Sequence, residues 1–271
     1  MEPITTRVGL IIDGDNRFFG RSVFEEWAHL VRSPSDALLL ALGVNELTDV
    51  AREGVRLIAL CLASPDARVW PLKLTRLLSS WGDPVAGYFG GQLVTAGKVM
   101  GPGAGTSAAL CLRWLLHQVG DGASQEEVSA ALARWKAENP GPIGGFGVPF
   151  REHDERRVAL LRFVGEGPIS KGRHWRLHHQ LVEAMAPVRP NCAISFSAIL
   201  LDIGVAPERC GLAFSVLMPH VFLGHALEGS EDGARLNDWP ASQVEYRGTA
   251  RRQLGDGARA QVHDALRRVA P

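Results

Sequence analysis

The sequence has few cysteines, no surplus of either charge and no long apolar run, and each shortage excludes a class of protein. The four cysteines, Cys61, Cys111, Cys192 and Cys210, stand far apart, without a C-x-x-C pair, in apolar or small-residue surroundings. That pattern predicts reduced core thiols of a cytoplasmic protein rather than a disulfide framework or a metal site. Lys and Arg together number 29, as do Asp and Glu, and the basic residues are dispersed apart from Arg251-Arg252 and Arg267-Arg268. No basic face for nucleic acid follows, so any attraction to anions is local. No run approaches the ~18 apolar residues of a membrane span. The opening segment Met1 to Gly20 offers only the apolar run Val8 to Ile12 before acidic residues set in, which matches neither a signal nor a transit peptide. The expectation is a soluble chain with no membrane and no nucleic-acid partner.

What is present is apolar content at helical spacing. With 46% hydrophobic residues in 271, the chain is long enough for a large buried core in one big domain or two. Apolar residues recur every three or four positions in Val23 to Val31, Ala37 to Leu42, Val55 to Leu62, Leu72 to Leu78, Ala108 to Leu116 and Val128 to Trp135. The same spacing returns in Val158 to Val164, Leu177 to Met185, Ala193 to Ile203, Leu212 to Leu227 and Ala258 to Val269, and it predicts a mostly α fold. Breakers such as Ser33-Pro34, Asp83-Pro84 and Pro190-Asn191 put Ser, Asp or Asn where orphan backbone N–H groups need a cap. Ser124 with Glu127 three residues later reads as a capping box. The exception to the helical pattern is Val8 to Ile12 followed by Asp13-Gly14-Asp15-Asn16, a strand entering a turn and one arm of a hairpin.

Several groups carry chemistry. The loop Glu138 to Gly147, dense in Gly and Pro, has Ile143 and Phe146 to bury, so it reads as a packed ligand-side loop, with a plain connector as the alternative. It leads into His153 and Asp154, and a histidine beside a carboxylate is the minimum for proton transfer. Arg156 reads as a clamp for carboxylate or phosphate, or as a surface charge at a helix start. His220 is a candidate for the pocket side of the stretch Leu212 to Leu227, while His225 pairs with Glu228 one turn on. His174 and His178, four apart, have the spacing of a metal pair; a solvated or anion-contacting face is the alternative and the preferred reading. Lys73 and Arg76 share a helix face and read as an anion contact or as ordinary exposed charges. Gly101 to Gly105 lacks the G-K-[ST] ending of a phosphate loop and has no strand before it, so its glycines serve close backbone approach or room for a ligand.

Five stretches, taken together and in order, resemble the citrate synthase superfamily, especially its short members related to citryl-CoA lyases. "GGFGVPFREHDERR" is similar to the family's "P-G-F-G-H" loop and "D-P-R" trio, with Gly145-Phe146-Gly147 as the loop and Asp154-Glu155-Arg156 as the trio. "RPNCAISFSAILLDIGV" resembles the "P-N-V-D-x-x-S-x-x-L-x-x-L-G-I" helix, keeping Pro190, Asn191 and Gly204. "FSVLMPHVFLGHALEG" resembles the penultimate long helix, with His225 and Glu228 matching its "H-x-x-E" pair. "WPASQVEYRG" keeps Pro240, Tyr246 and Gly248 of "R-P-x-x-x-Y-x-G", and "MGPGAGTSAALCLRWLL" stands where the family has "G-P-L-H-G-G-A".

The resemblance implies an all-α citrate synthase-like fold. It divides the chain into a large helical domain, residues 1–137 and 228–271, and a smaller domain, residues 138–227, with a short β element at the N-terminus. It also implies a homodimer and an acyl-CoA or carboxylate as the small-molecule partner, with coenzyme A thioester as substrate and no bound cofactor or metal. The family's first histidine falls on Ala104, the second on Val148 and the aspartate on Ala193; two further arginines fall near Trp239 and on Met218. The family's proton transfers therefore lack their usual groups. Three readings follow: an enzyme that makes or breaks a carbon–carbon bond with a relocated set, a non-catalytic binder or paralogue partner, and a converted enzyme that no longer uses CoA. For the first, His153, Asp154 and His220 are the catalytic candidates, and Arg156, Gly145, Phe146, Gly147 and Asn191 the substrate-binding ones.

Overall fold

The structure, a computed structural model, describes residues 5–64, 66–96, 101–148 and 151–233, with positions 242, 245, 247 and 248. It opens with a three-stranded antiparallel meander, β1 (Gly9–Ile12), β2 (Asp15–Phe18) and β3 (Arg21–Ser22). Gly9 pairs with Phe18 and Ile12 with Asp15. Two-residue turns join the strands: Asp13 and Gly14 have φ of 51° and 81°, Phe19 and Gly20 of 49° and 79°. Positive φ at both turn residues matches the right-handed twist of the flanking strands, which is why D-G sits here. The predicted hairpin arm is thus part of a full hairpin and a third short strand.

After β3 a π-helical turn, Val23–Trp27, runs into α1 (Ala28–Leu30). The helices that follow are α2 (Pro34–Ala41), α3 (Asp49–Leu62), α4 (Trp70–Ser79), α5 (Pro84–Leu93), α6 (Pro102–Val119) and α7 (Gln125–Glu138). Then come α8 (Glu155–Val164), a 3-10 turn at Pro168–Lys171, α9 (Arg173–Ala184), α10 (Cys192–Asp202), α11 (Pro207–Leu217) and α12 (Pro219–Glu231). Ser33, Thr48, Asp83 and Asn191 each accept a backbone N–H as N-caps. Ser124 and Glu127 form the full reciprocal capping box of α7.

Two readings of the periodicity are corrected. The stretch Leu212 to Leu227 is two helices, because Pro219 has no N–H to continue the first and instead opens the second. Helix α5, "PVAGYFGGQL", was not among the stretches expected to be helical. A side chain at Gly91 would meet Thr75 Oγ1 on α4 at 1.8 Å, so the glycine is there to let two helices touch. The region Ala258 to Val269 lies outside the described residues.

Met1–Arg235 forms one compact unit and Leu236–Pro271 a second; the elements above belong to the first. Its core is built around α10, where every residue from Cys192 to Leu201 is buried. A helix apolar all round has to be wrapped on all sides, and α10 packs against α3, α6, α8, α9 and α11. Small residues set close approaches around it: a side chain at Gly54 of α3 would lie 2.8 Å from Ile199 of α10, and one at Gly105 of α6 would strike the Phe214 ring of α11 at 2.6 Å. This is the close-approach use expected of the Gly101 to Gly105 stretch. All four cysteines are buried free thiols.

A second, smaller cluster joins α4, α5 and α12 through Leu72, Val221 and Phe222. Arg76 of α4 bonds Asp232 at 2.6 Å and also pairs with Glu228, so it is a helix-to-helix tie and not an open anion contact beside Lys73. By length and mean hydropathy the stretch Pro207–Glu231 is long and apolar enough to cross a membrane, which corrects the reading that no run is; half of that window is buried and Pro219 interrupts it.

Candidate functional site

The glycine loop is fixed from both sides. On one side the Gly144 N–H donates to Ser107 Oγ of α6 at 3.0 Å. On the other, Asn191 donates from its backbone to Gly145 O at 2.8 Å and from Nδ2 to Gly147 O at 3.0 Å, and the Gly147 N–H reaches Arg189 O at 2.7 Å. Asn191 Oδ1 meanwhile accepts the Ala193 N–H, so one side chain caps α10 and holds the loop at once. Phe146 bridges to Pro190 in antiparallel fashion, and Ile143 is buried. Gly145 has φ of 87°, and a Cβ there would lie 2.6 Å from Ile194 N. Only glycine satisfies both conditions. The loop is a packed element, not a connector.

This clamp places three sequence-distant positions around one loop. Ala104 lies against Gly144, where an added Cβ would come within 2.1 Å of the Ala104 carbonyl oxygen. Ala193 opens α10 beside Ile194, and Val148 follows Gly147 directly. Ala104 and Ala193 are buried and Val148 is half-buried. None of the three carries a group that can donate, accept or move a proton.

Asp154 is the most heavily engaged polar side chain near the loop. It is the N-cap of α8, and its carboxylate accepts four bonds: the Arg156 N–H at 3.1 Å, Arg156 Nε at 2.9 Å, Arg156 Nη2 at 2.9 Å and the Cys192 N–H at 2.9 Å. Burial pushes its carboxyl up, yet the bonds and charge of Arg156, with the Cys192 and Arg156 N–H groups, bring it down to about 2. Burial works against the Arg156 charge as well, and the hydrogen-bonded Asp154 carboxylate with the Glu155 charge holds it above its ordinary value. The pair therefore stays ionised and ties the start of α8 to the first N–H of α10. With both oxygens occupied, Asp154 has no lone pair directed at a ligand.

The remaining candidates are dispersed. His153 is exposed, one residue before the cap. His220 is exposed on the first turn of α12, a helix that packs on α4 and α5, whereas α8 packs on α3 and α10. The geometry thus gathers Gly145, Phe146, Gly147, Asn191, Asp154 and Arg156 and leaves His220 on another group of helices. His225 is buried with Glu228 4.0 Å away. Of the expected C-terminal segment, Trp239, Pro240 and Tyr246 lie outside the described residues.

The histidine-rich helix departs from its sequence reading. His178 is fully buried and donates from Nδ1 to the Trp175 carbonyl; it is not on a solvated face. Burial, then the neighbouring His179 and Arg157, keep it well below its ordinary value and so neutral. His174 binds Asp202 through Nδ1 at 2.9 Å, and Asp202 also accepts the His174 and Trp175 N–H groups, capping α9 from the end of α10. Asp202 and Ser107 were missed in the sequence, since each acts across a long separation that no local motif marks. Among the described residues no three His, Cys, Asp or Glu side chains converge as metal ligands. Burial raises all four thiols, Cys111 and Cys210 to about 12, so none is a thiolate nucleophile.

Neither a protein-family model nor a curated protein matches the chain. Solved structures do. Citryl-CoA lyase from Hydrogenobacter thermophilus is similar over 95% of this chain and 100% of its own, with a TM-score of 0.75 at 18% identity. ATP citrate lyase from Methanosaeta concilii, solved with (3S)-citryl-CoA, is similar over 92% of this chain but 43% of its own, with a TM-score of 0.67 at 15% identity. Citrate synthase from Thermoplasma acidophilum, solved with carboxymethyl coenzyme A and oxaloacetate, gives a TM-score of 0.55 at 13% identity over 84% of this chain and 60% of its own. The small N-terminal meander, the helical body and these likenesses lead to one conclusion: the chain has a citrate synthase-like fold.

Proposed function

We propose that this chain binds an acyl-CoA thioester or a related carboxylate beside the glycine loop, and that it is a diverged member of the CoA-dependent carbon–carbon bond class. The observation that carries this is the double clamp of the loop by Ser107 and Asn191, which hold Gly144, Gly145 and Gly147 through the chain's own hydrogen bonds. Preorganisation of this kind reduces what binding has to order. The neighbours solved with citryl-CoA, or with a CoA analogue and oxaloacetate, support the ligand class. Ala104, Val148 and Ala193 stand where the family resemblance places its acid–base groups, and the saturation of Asp154 favours a positioning role for that residue. Binding without the family's usual proton transfers is the reading best supported. A second reading, an enzyme with a relocated base, rests on His153, which is exposed beside the loop's exit and has its ring free to meet a ligand.

The test is thermal unfolding of the full chain with millimolar CoA, acetyl-CoA, propionyl-CoA and citrate. A ligand that binds only the native state at about 100 times its Kd adds ~2.7 kcal/mol. A rise with a CoA ester and no bond formation or cleavage supports the binder; turnover abolished by His153→Ala supports the relocated base. No rise with any of them favours a cleft converted to another chemistry.

We further propose a homodimer. Leu77, Leu78, Trp81, Val85, Phe89, Leu93, Leu223 and Leu227 on α4, α5 and α12 and the adjoining turn are large and exposed, and apolar exposure on this scale marks an association surface. A cytoplasmic location without membrane contact fits the buried reduced thiols and the interruption of Pro207–Glu231 at Pro219.

A further inference from the structure

A cavity away from the glycine loop carries an inference of its own. Helix α8 begins at Glu155, beside the Asp154 tie, and ends at Val164. Ten residues at 1.5 Å each put roughly 15 Å between its two ends, and the cavity lies at the far one. There Gly165, with φ of 47°, stops the helix, the Gly167 N–H bonds Val164 O at 3.0 Å, and Pro168 opens the 3-10 turn. Facing this bend are Asp49, Val50, Glu53 and Leu57, which lie within one stripe of α3. Between the bend and the stripe is a volume of about 290 Å³.

The lining has an apolar floor and an acidic edge. Leu57, Val164 and Ile169 are buried, whereas Val50 and Phe163 are exposed walls. An aromatic ring and a valine left wet beside an apolar floor are surface that an occupant would take out of water. Of the lining side chains only Asp49 and Glu53 are polar, and as carboxylates they accept and cannot donate. Glu53 is engaged, its two oxygens taking Arg56 Nε and Nη2 at 2.7 Å each. Among the described residues Asp49 has only Arg52 Nη1, 3.6 Å away and beyond hydrogen-bond range, and Arg52 is itself bonded to the buried Asp36. Asp49 therefore keeps its lone pairs for a donor. The Phe163 ring already holds a cation, the Arg162 guanidinium 5.1 Å from its centroid, which puts the place for a further positive charge at the Asp49 edge. We propose that this cavity binds a small organic cation: an apolar body of one or two rings seated on Leu57, Val164 and Ile169, with a protonated amine donating to Asp49. Its volume is at the small end of ligand pockets, so the occupant is far smaller than a CoA ester.

Tryptamine, 3-ethylindole and indole-3-propionate share one ring system and differ in charge at the end of the same short chain. Calorimetric titration of the full chain should show tryptamine binding about threefold or more tighter than 3-ethylindole, the scale of an exposed ion pair, and indole-3-propionate weakest. Asp49→Asn should bring tryptamine to the level of 3-ethylindole and leave 3-ethylindole unchanged, a result that general damage to the fold would not give. Phe163→Ala, at an exposed position, should weaken both by about tenfold through lost apolar contact while keeping its far-UV circular dichroism. In methyl-labelled protein, the tryptamine ring protons should show nuclear Overhauser contacts to the Val50 and Ile169 methyl groups, which fixes the place of binding without a substitution. The proposal is overturned if tryptamine does not bind, if indole-3-propionate binds as tightly, if Asp49→Asn keeps the parent's preference for the amine, or if the contacts fall on other methyl groups.

Discussion

Removing the Asp154 carboxylate tests whether one ion pair fastens the start of α8 to α10. The side chain is 1% exposed and its partner Arg156 28%. Asp154→Ala would leave a half-buried guanidinium and the Cys192 N–H without acceptors, and it would uncap α8. Breaking a buried pair by deleting one partner costs ~3–5 kcal/mol; because Arg156 keeps some access to water, ~3 kcal/mol is the expectation. At ~2–4 °C per kcal/mol for a chain of this size, the unfolding midpoint falls by roughly 6–12 °C. The pH dependence gives an independent check. The carboxyl is at about 2 in the folded chain against an ordinary value of 3.8, so its contribution is fully present above the unfolded value and fades as pH falls through the folded one. That gap is worth roughly 2 kcal/mol. Urea unfolding of the parent and of Asp154→Asn between about pH 5 and pH 2 should therefore show the parent losing roughly 2 kcal/mol more. Equal pH slopes, or an Asp154→Ala variant within ~0.5 kcal/mol of the parent at pH 7, would refute the reasoning.

Other expectations are more local. Gly145→Ala forces a side chain onto Ile194 at positive φ and should abolish any midpoint rise caused by a CoA ester, while Gly147→Ala, with open space around its Cβ, should weaken it less. Ser107→Ala leaves the Gly144 N–H without its partner and should cost ~1 kcal/mol in denaturant unfolding. Ser124→Ala removes half of the α7 capping box and should likewise cost ~1 kcal/mol. Phe89→Glu with Leu93→Glu, both exposed on α5, should convert a dimer into a monomer in light scattering; an unchanged mass would place any interface elsewhere.

Much of the fold could be read where the signal is local. The Ser124–Glu127 box, the D-G turn and the caps at Ser33, Asp83 and Asn191 involve residues two or three apart, and the structure has them as expected. The readings that departed were those where another helix decides. In α5, glycine is a contact residue because Thr75 and Ser79 of α4 lie against it. His178 looked polar and solvated until Trp175, His179 and the core closed over it. In Leu212 to Leu227 the apolar spacing overrode the proline, although the missing N–H was in plain sight. At the candidate site, Gly145, Gly147 and Asn191 were legible because backbone shape demands them. The role of Ser107 was hidden, since it meets Gly144 across 37 residues.

The bonds that shape the loop come from backbone groups, the Ser107 hydroxyl and the Asn191 amide, and none comes from positions 104, 148 or 193. Ala104 and Ala193 are packed into the core and Val148 is half-buried, so these three side chains sit beside the loop without shaping it. Enlarging Ala104 or Ala193 would crowd the core, whereas a histidine could be tried at Val148, whose side chain has no hydrogen bond to give up.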